Sequence, residues 1–573
     1  MSAALAPGTR HGDHYKWVAL TNTTLGVVMA TIDASITLIA MPDIFRGIGL
    51  DPLAAGNSFY LLWMLLGFLV VTSVLVVNFG RLGDMFGRVR LYNLGFALYT
   101  LFSLALAVCW LHGRAGALFL VVMRVFQGVG AAFIMANSAA ILTDAFPPDQ
   151  RGTALGINNI AGISGTFIGL VLGGVLAPID WRLVFLISVP FGVVGTAWAY
   201  WKLEERGVRR PGSIDWLGNL TFALGLVAVM IGITYGIEPA GTSTMGWSSP
   251  RVLVTLGGGT ALLAAFAIIE RRAENPMFRL PLFRIRAFTA GSFSTLLAGI
   301  ARGGLMFMLV IWLQGIWLPE HGYDFAATPL WAGIYMLPLT FGFLVAGPLS
   351  GHLSDRFGAR PFASGGMVIQ LVSFALLLAV PTNFSYPLFA ALLFLNGVGS
   401  GCFAAPNRAG VMNSLPQAHR GVGGGMNSTF QNAAQVLSIG IFFSLMILGL
   451  SARLPTALFH GLVAHGVPHA RAAELSVLPP VSVLFAAFLG DNPMRHLLGA
   501  GVLAHLPPAR AAVLVGRGFF PHLIAPAFRA GLQRAFAFAM VACAGAAATS
   551  WLRGGRPAPA AAGTLEAEVA AGA

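Results

Sequence analysis

Charged side chains inside apolar stretches are the residues of this sequence most able to do chemistry. Asp33 lies in an apolar stretch near the N-terminus, and Arg124 and Arg302 lie in two later ones. Removal from water favours the protonated form of Asp33, whereas a nearby Arg124 favours the ionised form. The sequence therefore predicts that Asp33 and Arg124 couple proton exchange to a change of conformation. A fixed structural ion pair is the alternative.

A central cavity is the expected setting of these groups. Arg302 is expected to supply charge to that cavity, and all three charged side chains can face it. The candidates for contact with a substrate are Tyr60, Trp63, Asn137, Tyr335 and Asn432. Asn427, Gln431, Asn432 and Gln435 lie mostly on one helical face, so they predict either a polar pathway or hydrogen bonds to a neighbouring helix. Aromatic residues in helices more often pack in the core.

The composition excludes a water-soluble protein. Of 573 residues, 10% are charged and 57% are hydrophobic, whereas soluble domains carry about 25% charged residues. Apolar stretches of about 20 residues, the length that crosses a bilayer, recur along the chain. We therefore expect an all-α integral membrane protein with fourteen transmembrane helices. The predicted spans are 17–42, 56–78, 91–111, 115–143, 152–178, 183–202, 216–236, 251–270, 288–316, 328–350, 361–381, 387–411, 421–450 and 530–551.

The basic residues predict the orientation of these helices. The net charge is +13, but Lys and Arg are spread along the chain rather than massed in one domain, which disfavours nucleic-acid binding. Most of them fall in loops on one side of the predicted spans, which the positive-inside rule assigns to the cytoplasm together with both termini. We expect a multi-pass protein of the cytoplasmic (inner) membrane, in contact with membrane lipids.

An internal repeat organises the chain. Residues 80–88 recur as 351–359, at an offset of 271, and residues 127–130 recur as 396–399, at an offset of 269. Two six-helix halves alone need an offset of about 200 residues, because a helix and its loop take about 33. Two extra helices therefore lie between the halves, in a 6+2+6 arrangement.

These boundaries predict five parts. They are a cytoplasmic N-terminal tail (1–16), a six-helix bundle (17–202), two inserted helices with basic linkers (203–287), a second six-helix bundle (288–551) and a disordered cytoplasmic tail (552–573). Residues 451–529 contain nine prolines and no stretch long enough to cross. We expect them to form an extended external loop between helices 13 and 14, ordered as a cap of short helices. A re-entrant hairpin near Val481–Leu489 is the alternative.

Three motifs resemble signatures of the Major Facilitator Superfamily. Gly80–Arg90 resembles the signature between helices 2 and 3, G-x-L-x-D-R-x-G-R-x-R, with Met85 in place of an arginine. Ile32–Pro42, around Asp33, is similar to the first-helix signature of the fourteen-helix drug:proton antiporters, and Arg124–Ala132 to the helix 4 motif. The resemblance implies a monomeric transporter that works by alternating access.

The fifth predicted span resembles the motif that separates exporters from importers in that superfamily. Its glycines are Gly156, Gly165, Gly169, Gly173 and Gly174. The four-residue spacing of Gly165, Gly169 and Gly173 predicts one face that allows close helix approach. A packing role alone is the alternative. Leu170 stands where the family has proline, which removes a kink.

A conformational latch is also implied by the resemblance. In the family, an aspartate docks at a neighbouring helix N-terminus and nearby basic groups and stabilises one access state. The alternative is charge that only sets orientation. The expected residues, placed in cytoplasmic loops, are Gly80, Asp84, Gly87 and Arg88 in the first copy and Asp355, Arg356 and Gly358 in the second.

The function expected from these features is proton-coupled efflux of small hydrophobic or cationic compounds. The alternatives are a dedicated exporter of an endogenous lipid, siderophore or antibiotic, and a membrane receptor on a transporter fold. The sequence has no P-loop, metal-ligand spacing or nucleophile constellation. We therefore expect no enzyme activity, no metal and no cofactor beyond the proton gradient, with protons and a small-molecule substrate as partners.

Overall fold

Fourteen membrane-spanning helices form the framework of the protein. The computed structural model describes residues 11–54, 56–147, 150–206, 215–240, 245–273, 276, 278–416, 420–489 and 492–554. Within those residues, fourteen helices are long and apolar enough to cross a membrane, which confirms the predicted number. They are α1 His14–Gly47, α2 Asn57–Phe86, α3 Arg88–Ala107, α4 Gly113–Ala145, α5 Thr153–Leu176, α6 Leu183–Lys202, α7 Trp216–Ile237, α8 Pro250–Glu270, α9 Arg286–Glu320, α10 Thr328–Phe357, α11 Ala359–Ala379, α12 Tyr386–Asn413, α13 Val422–Ser451 and α14 Phe519–Trp551.

The packing of α1–α6 is repeated in α9–α14. In the first half, α1 packs against α5, and α4 packs against α2 and α3. In the second half, α9 packs against α13, and α12 packs against α10 and α11. Helices related by the sequence repeat therefore occupy equivalent places. The halves meet where α2 packs against α13 and α5 packs against α10.

The two inserted helices lie at one side of this arrangement. They pack against each other, and α7 also packs against α2 of the first half and α13 of the second. Ser58 near the start of α2 donates a hydrogen bond of 2.8 Å to Glu238, which follows α7. Burial raises the pKa of Glu238. Most of α8 is exposed, including Leu253 and Val254, as expected for a lipid-facing helix.

The segment between α13 and α14 is helical in its described part. Its short helices are Leu454–Ala464, His469–Ser476, Pro480–Phe488, Met494–His505 and Pro508–Leu514. Every residue of Pro480–Phe488 is buried, and this helix meets the preceding one at 91°. Phe485 stacks on Phe443 of α13, and Phe488 contacts Phe307 of α9. Pro480–Phe488 is thus part of the core, which favours the re-entrant alternative over a cap at this place.

Several predicted helix boundaries are wrong because the helices extend further than expected. The last helix begins at Phe519 rather than at 530, with Pro526 inside it, so the segment between α13 and α14 ends at 518. Both α2 and α10 continue through the motif residues, so Asp84 and Asp355 lie in helical turns rather than in loops. Gly87 and Gly358, with φ of 110° and 87°, end those helices in a conformation that favours glycine.

The predicted tails are shorter than expected. Residues 14–16 already belong to α1. Arg553, assigned to the disordered tail, is buried and donates a hydrogen bond to Asn407 of α12. Burial lowers the pKa of Arg553 to about 10. Residues 1–10, most of the basic linker (207–214) and the tail from 555 lie outside the described residues.

Candidate functional site

A cavity of about 330 Å³ lies between the two halves. Its wall comes from α1, α2 and α5 of the first half and from α9, α10, α12 and α13 of the second. Arg302 is the charged residue among the described residues that line it. Most of the wall is apolar, as in sites for small organic molecules. Its uncharged polar side chains are Thr31, Ser35, Thr166, Thr340, Ser400, Gln431 and Gln435.

Direct contacts join the two halves on the side of the cavity predicted to be external. Gln314 of α9 donates a hydrogen bond of 3.2 Å to the Ile39 carbonyl of α1. Gln314 lies in a π-helical turn, Leu313–Trp317, a feature often found at functional sites. A Cβ at Gly174 would overlap the backbone of Leu330, so α5 and α10 also touch there without intervening side chains.

Asp33 and Arg124 form an ion pair between α1 and α4. Their side chains are 0% and 1% exposed, so the pair is removed from bulk solvent. Gln127 completes the arrangement: it accepts a hydrogen bond of 2.7 Å from Arg124 and donates one of 3.1 Å to Asp33. Its amide also donates to Ser103 of α3, at 2.8 Å. The Arg124 guanidinium lies 4.4 Å from the centre of the Phe68 ring.

Two residues of this network, Gln127 and Ser103, were missed by the sequence reasoning. Gln127 follows Arg124 by three positions, so both side chains lie on one face of α4. The spacing is visible in the sequence and could have identified Gln127. The contribution of Ser103 depends on how α3 packs and has no comparable local signal.

The ion pair does not reach the cavity wall. On α1, Thr31, Ser35 and Leu38 line the cavity, whereas Asp33 is fully buried away from it. At 100° per residue, Asp33 points to the opposite side of the helix from that lining face. The prediction that all three charged groups face one cavity is therefore wrong for Asp33 and Arg124. It holds for Arg302, which lines the wall.

The third face of α1 packs on the glycine motif of α5. A Cβ at Gly165 would lie 3.0 Å from the Val28 carbonyl oxygen, and a Cβ at Gly169 would lie 3.0 Å from the Ile32 Cα. Gly173 meets Ile36 in the same way, one turn further along. The predicted close approach is therefore present. Of the other motif glycines, Gly174 faces α10, and a Cβ at Gly156 would meet no heavy atom within 4 Å among the described residues.

The residues predicted to contact substrate lie elsewhere. The cavity wall contains none of Tyr60, Trp63, Asn137, Tyr335 and Asn432 among its described residues. Tyr335 hydrogen-bonds Tyr323 at 2.7 Å in an aromatic cluster near the start of α10, and Asn137 donates to the Phe133 carbonyl of its own helix. Residue type suggested these positions, but helix rotation decides which residues face a cavity.

The polar face of α13 divides between both interpretations. Gln431 and Gln435 line the cavity, as a polar pathway requires. Asn427 instead accepts a hydrogen bond of 3.0 Å from Thr295 of α9, which joins two neighbouring helices. Gln431 and Gln435 thus serve the cavity wall, whereas Asn427, one turn nearer the start of α13, links α13 to α9.

The latch residues form a charged network within the first half. Arg88, at the start of α3, pairs with Asp84 at 2.6 Å and with Asp144, at the end of α4, at 2.7 Å. The carboxylate at the N-terminus of α3 is supplied by Glu205, which accepts from the backbone N–H groups of Arg88 and Val89 at 2.9 and 3.0 Å. Asp84 therefore makes the expected contact with a nearby basic group, whereas the docking at a helix N-terminus is made by Glu205, which the sequence reasoning missed.

The second copy of the latch motif differs in its surroundings. Arg356 is exposed at the end of α10. The next basic residue, Arg360, lies with its guanidinium 3.9 Å from the centre of the Trp551 ring of α14. At the offset of 271, the equivalent of Arg88 is Ala359, so the cation–π contact of Arg360 is made one residue later than the ion pairs of the first half.

The comparison with protein families decides the class. The model described as Major Facilitator Superfamily matches residues 23–439 and, a second time, residues 291–553. The chain belongs to the Major Facilitator Superfamily. This superfamily protein is accordingly a multi-pass membrane protein that transports and is not an enzyme.

Several characterised members are similar to it. The tetracenomycin C resistance and export protein of Streptomyces glaucescens is 28% identical over 498 residues, 86% of each chain. The riboflavin transporter RibZ of Clostridioides difficile is 28% identical over 436 residues, 75% of this chain and 88% of the relative. The multidrug resistance protein Stp of Mycobacterium tuberculosis is 28% identical over 439 residues, 76% and 77%.

A solved structure has the same fold. The bacterial homologue of the human lysosomal transporter Spinster, in an inward-facing and occupied conformation, covers 96% of this chain and all of its own, with a TM-score of 0.56 and 16% sequence identity. At this identity the likeness concerns the fold alone.

Proposed function

We propose that this protein exports small, mainly hydrophobic compounds across the cytoplasmic membrane in exchange for protons, by alternating access. The observation that carries the proposal is the position of Asp33 on α1. One face of that helix lines the cavity and another holds the buried pair of Asp33 with Arg124. The relatives named as export and multidrug resistance proteins support the direction of transport.

Movement of α1 is the proposed link between protons and substrate. Protonation of Asp33 removes the negative charge that Arg124 and Gln127 hold between α1 and α4. Arg124 then loses its counterion in a site removed from bulk solvent, which is costly, so α1 and α4 separate or Arg124 turns toward water. Because α1 also carries Thr31 and Ser35 of the cavity wall, that movement changes the substrate site.

The charge on the cavity wall disfavours cationic substrates. Arg302 is the charged group on the described wall of the cavity, and it repels a cation at short range in a poorly solvated space. A dedicated exporter of one compound remains the second candidate, because one relative is named for riboflavin and another for tetracenomycin C.

Transport by everted membrane vesicles tests the proposal. We expect Asp33→Asn to lose export driven by a pH gradient across a panel of hydrophobic dyes. The matched control is Asp43→Asn on the same helix, because Asp43 pairs with Arg46 near the outer end of α1. Export by Asp43→Asn should continue. Full export by Asp33→Asn, with unchanged dependence on the gradient, would show that Asp33 does not carry the proton.

A second variant separates coupling from folding. Asp33→Asn leaves Arg124 buried without a counterion, which can cost about 3–5 kcal/mol. The double variant Asp33→Asn with Arg124→Gln removes both charges and should fold at normal abundance. It should also lack pH-driven export. If it exports normally, the pair is only a structural contact.

A further inference from the structure

We propose that Arg302 binds an anionic group of the transported compound, so that the substrates are amphipathic acids with a carboxylate or a similar oxyanion and an apolar body. This inference rests on the proposed export function, since it names the chemical class that is exported. It narrows the expected range of small hydrophobic or cationic compounds to hydrophobic acids.

The first argument is the missing counterion. Among the described residues, Arg302 has no ion-pair or hydrogen-bond partner, and the contact of its guanidinium is the Phe343 ring, 6.0 Å away. By contrast, Arg124 is held by both Asp33 and Gln127. A charge on an apolar wall at membrane depth is costly and is usually paired. An anionic ligand in the cavity would supply the partner.

The second argument comes from the internal repeat. The cavity-lining residues Thr31, Ala34, Ser35 and Leu38 of α1 match Gly299, Arg302, Gly303 and Met306 of α9 at a constant offset of 268. Arg302 is thus the equivalent of Ala34, a position that lines the cavity in both halves. The first half has an uncharged methyl group there, whereas the second half places a guanidinium on the cavity wall.

The third argument is the chemistry around Arg302. Gln431 and Gln435, one turn apart on α13, contribute to the same wall, and the Gln435 backbone lies against Gly303, the residue after Arg302. A guanidinium binds a carboxylate through two parallel N–H groups, and amide N–H groups can complete its hydrogen bonds. Leu38, Leu65 and Ile439 offer the apolar surface that the rest of the molecule needs.

Equilibrium binding to the purified full-length protein tests the inference. Three probes share one ring system and differ in charge: naphthoate, its methyl ester and naphthylmethylammonium. We expect the wild type to bind naphthoate about tenfold or more tightly than the ester, the value of a charge-assisted hydrogen bond, and the ammonium most weakly. Arg302→Gln should lose this preference while it still binds the ester, which shows that the variant is folded.

Two further variants sharpen the test. Arg302→Lys keeps the charge but loses the two-pronged geometry, so it should keep part of the preference. Arg90→Gln removes one exposed positive charge away from the cavity and should change nothing. Equal preference in Arg302→Gln and the wild type would overturn the inference. So would a wild type that binds the ester or the ammonium better, or that binds no naphthoate at millimolar concentration.

The binding experiment is separate from the test of proton coupling. It uses no membrane and no pH gradient, so a carboxylate preference that depends on Arg302 stands or fails by itself. If the wild type shows no pH-driven export in any assay, the proposed function is refuted instead. The two failures are therefore distinguishable.

Discussion

A methyl group at Gly169 tests how tightly α1 and α5 must pack. Its Cβ would overlap Ser35 Oγ and would lie 3.0 Å from the Ile32 Cα. Ser35 cannot easily turn away, because its hydroxyl donates to the Thr31 and Ile32 carbonyls at 2.9 and 3.0 Å. The Cβ would also lie 2.5 Å from the Ile32 carbonyl oxygen. Since carbon and oxygen atoms pack at about 3.3 Å or more, the two helices must separate by about 0.8 Å.

The matched control is on the same helix. A Cβ at Gly156 would have no described heavy atom within 4 Å, so Gly156→Ala changes helix propensity without steric overlap. Replacing glycine by alanine in a helix gains about 1 kcal/mol, and overpacking costs about 1–3 kcal/mol. Because both variants share the propensity gain, we expect Gly169→Ala to be about 1–3 kcal/mol less stable than Gly156→Ala.

Thermal unfolding of the purified protein measures this difference, and the vesicle assay measures its effect on export. Gly169→Ala should unfold at a lower temperature than Gly156→Ala and should export more slowly. Gly169→Leu should be worse than either. Equal unfolding temperatures and equal export for the two alanine variants would refute the argument that close approach of α1 and α5 is required.

Two other predictions concern stability and use the same unfolding measurement. Phe485→Ala should lower the free energy of unfolding by about 3–5 kcal/mol, because Phe485 is fully buried. Val477→Ala should leave it unchanged, because Val477 is 77% exposed. Equal effects of the two variants would contradict the burial of Pro480–Phe488 in the core. Arg88→Ala should lower the free energy of unfolding by about 2 kcal/mol, because it breaks two ion pairs of a half-buried group. Arg90→Ala should have little effect, because Arg90 is exposed. If Arg88→Ala is as stable as the wild type, the charges of this network serve only to orient the protein in the membrane.

The helices could be predicted because each one repeats a strong, local signal. A bilayer requires about 20 apolar residues wherever a helix crosses it, and fourteen such stretches are present in the described part of the chain. The end of the segment between α13 and α14 was harder to predict. Pro521 and Pro526 suggested a break, yet both lie within α14, since buried neighbours can support a proline-containing helix in a membrane protein.

The candidate site was only partly predictable, because it depends on helix rotation. The pairing of Asp33 with Arg124 could be anticipated, since a charge in a membrane needs a partner. Which side of α1 faces the cavity could not. That side is set by Gly165 and Gly169 against Val28 and Ile32, and this packing leaves Thr31 on the cavity wall. Tyr60 and Tyr335 were chosen by residue type alone, which carries no information on rotation.

The internal repeat shows which feature of the packing matters. Ser35 of α1 faces Gly169 of α5 in the first half. The cavity-lining residues of α1 and α9 match at an offset of 268, so the equivalent of Ser35 is Gly303 of α9. At the offset of 269, the equivalent of Gly169 is Ser438 of α13, and a Cβ at Gly303 would lie 2.9 Å from the Ser438 Cβ. The glycine and the serine have exchanged helices, while the close contact is present in both halves.

A small residue is therefore needed within each pair of helices, whichever helix supplies it. The charges of the two halves differ where the packing does not. Asp33 is neutralised inside the first half by Arg124, whereas Arg302, the equivalent of Ala34, lines the cavity. A common scaffold thus holds two charged positions of opposite sign, one closed within a bundle and one open to a ligand. Under the two proposals made above, the proton and the anion bind at different sites, and the movement of α1 links them.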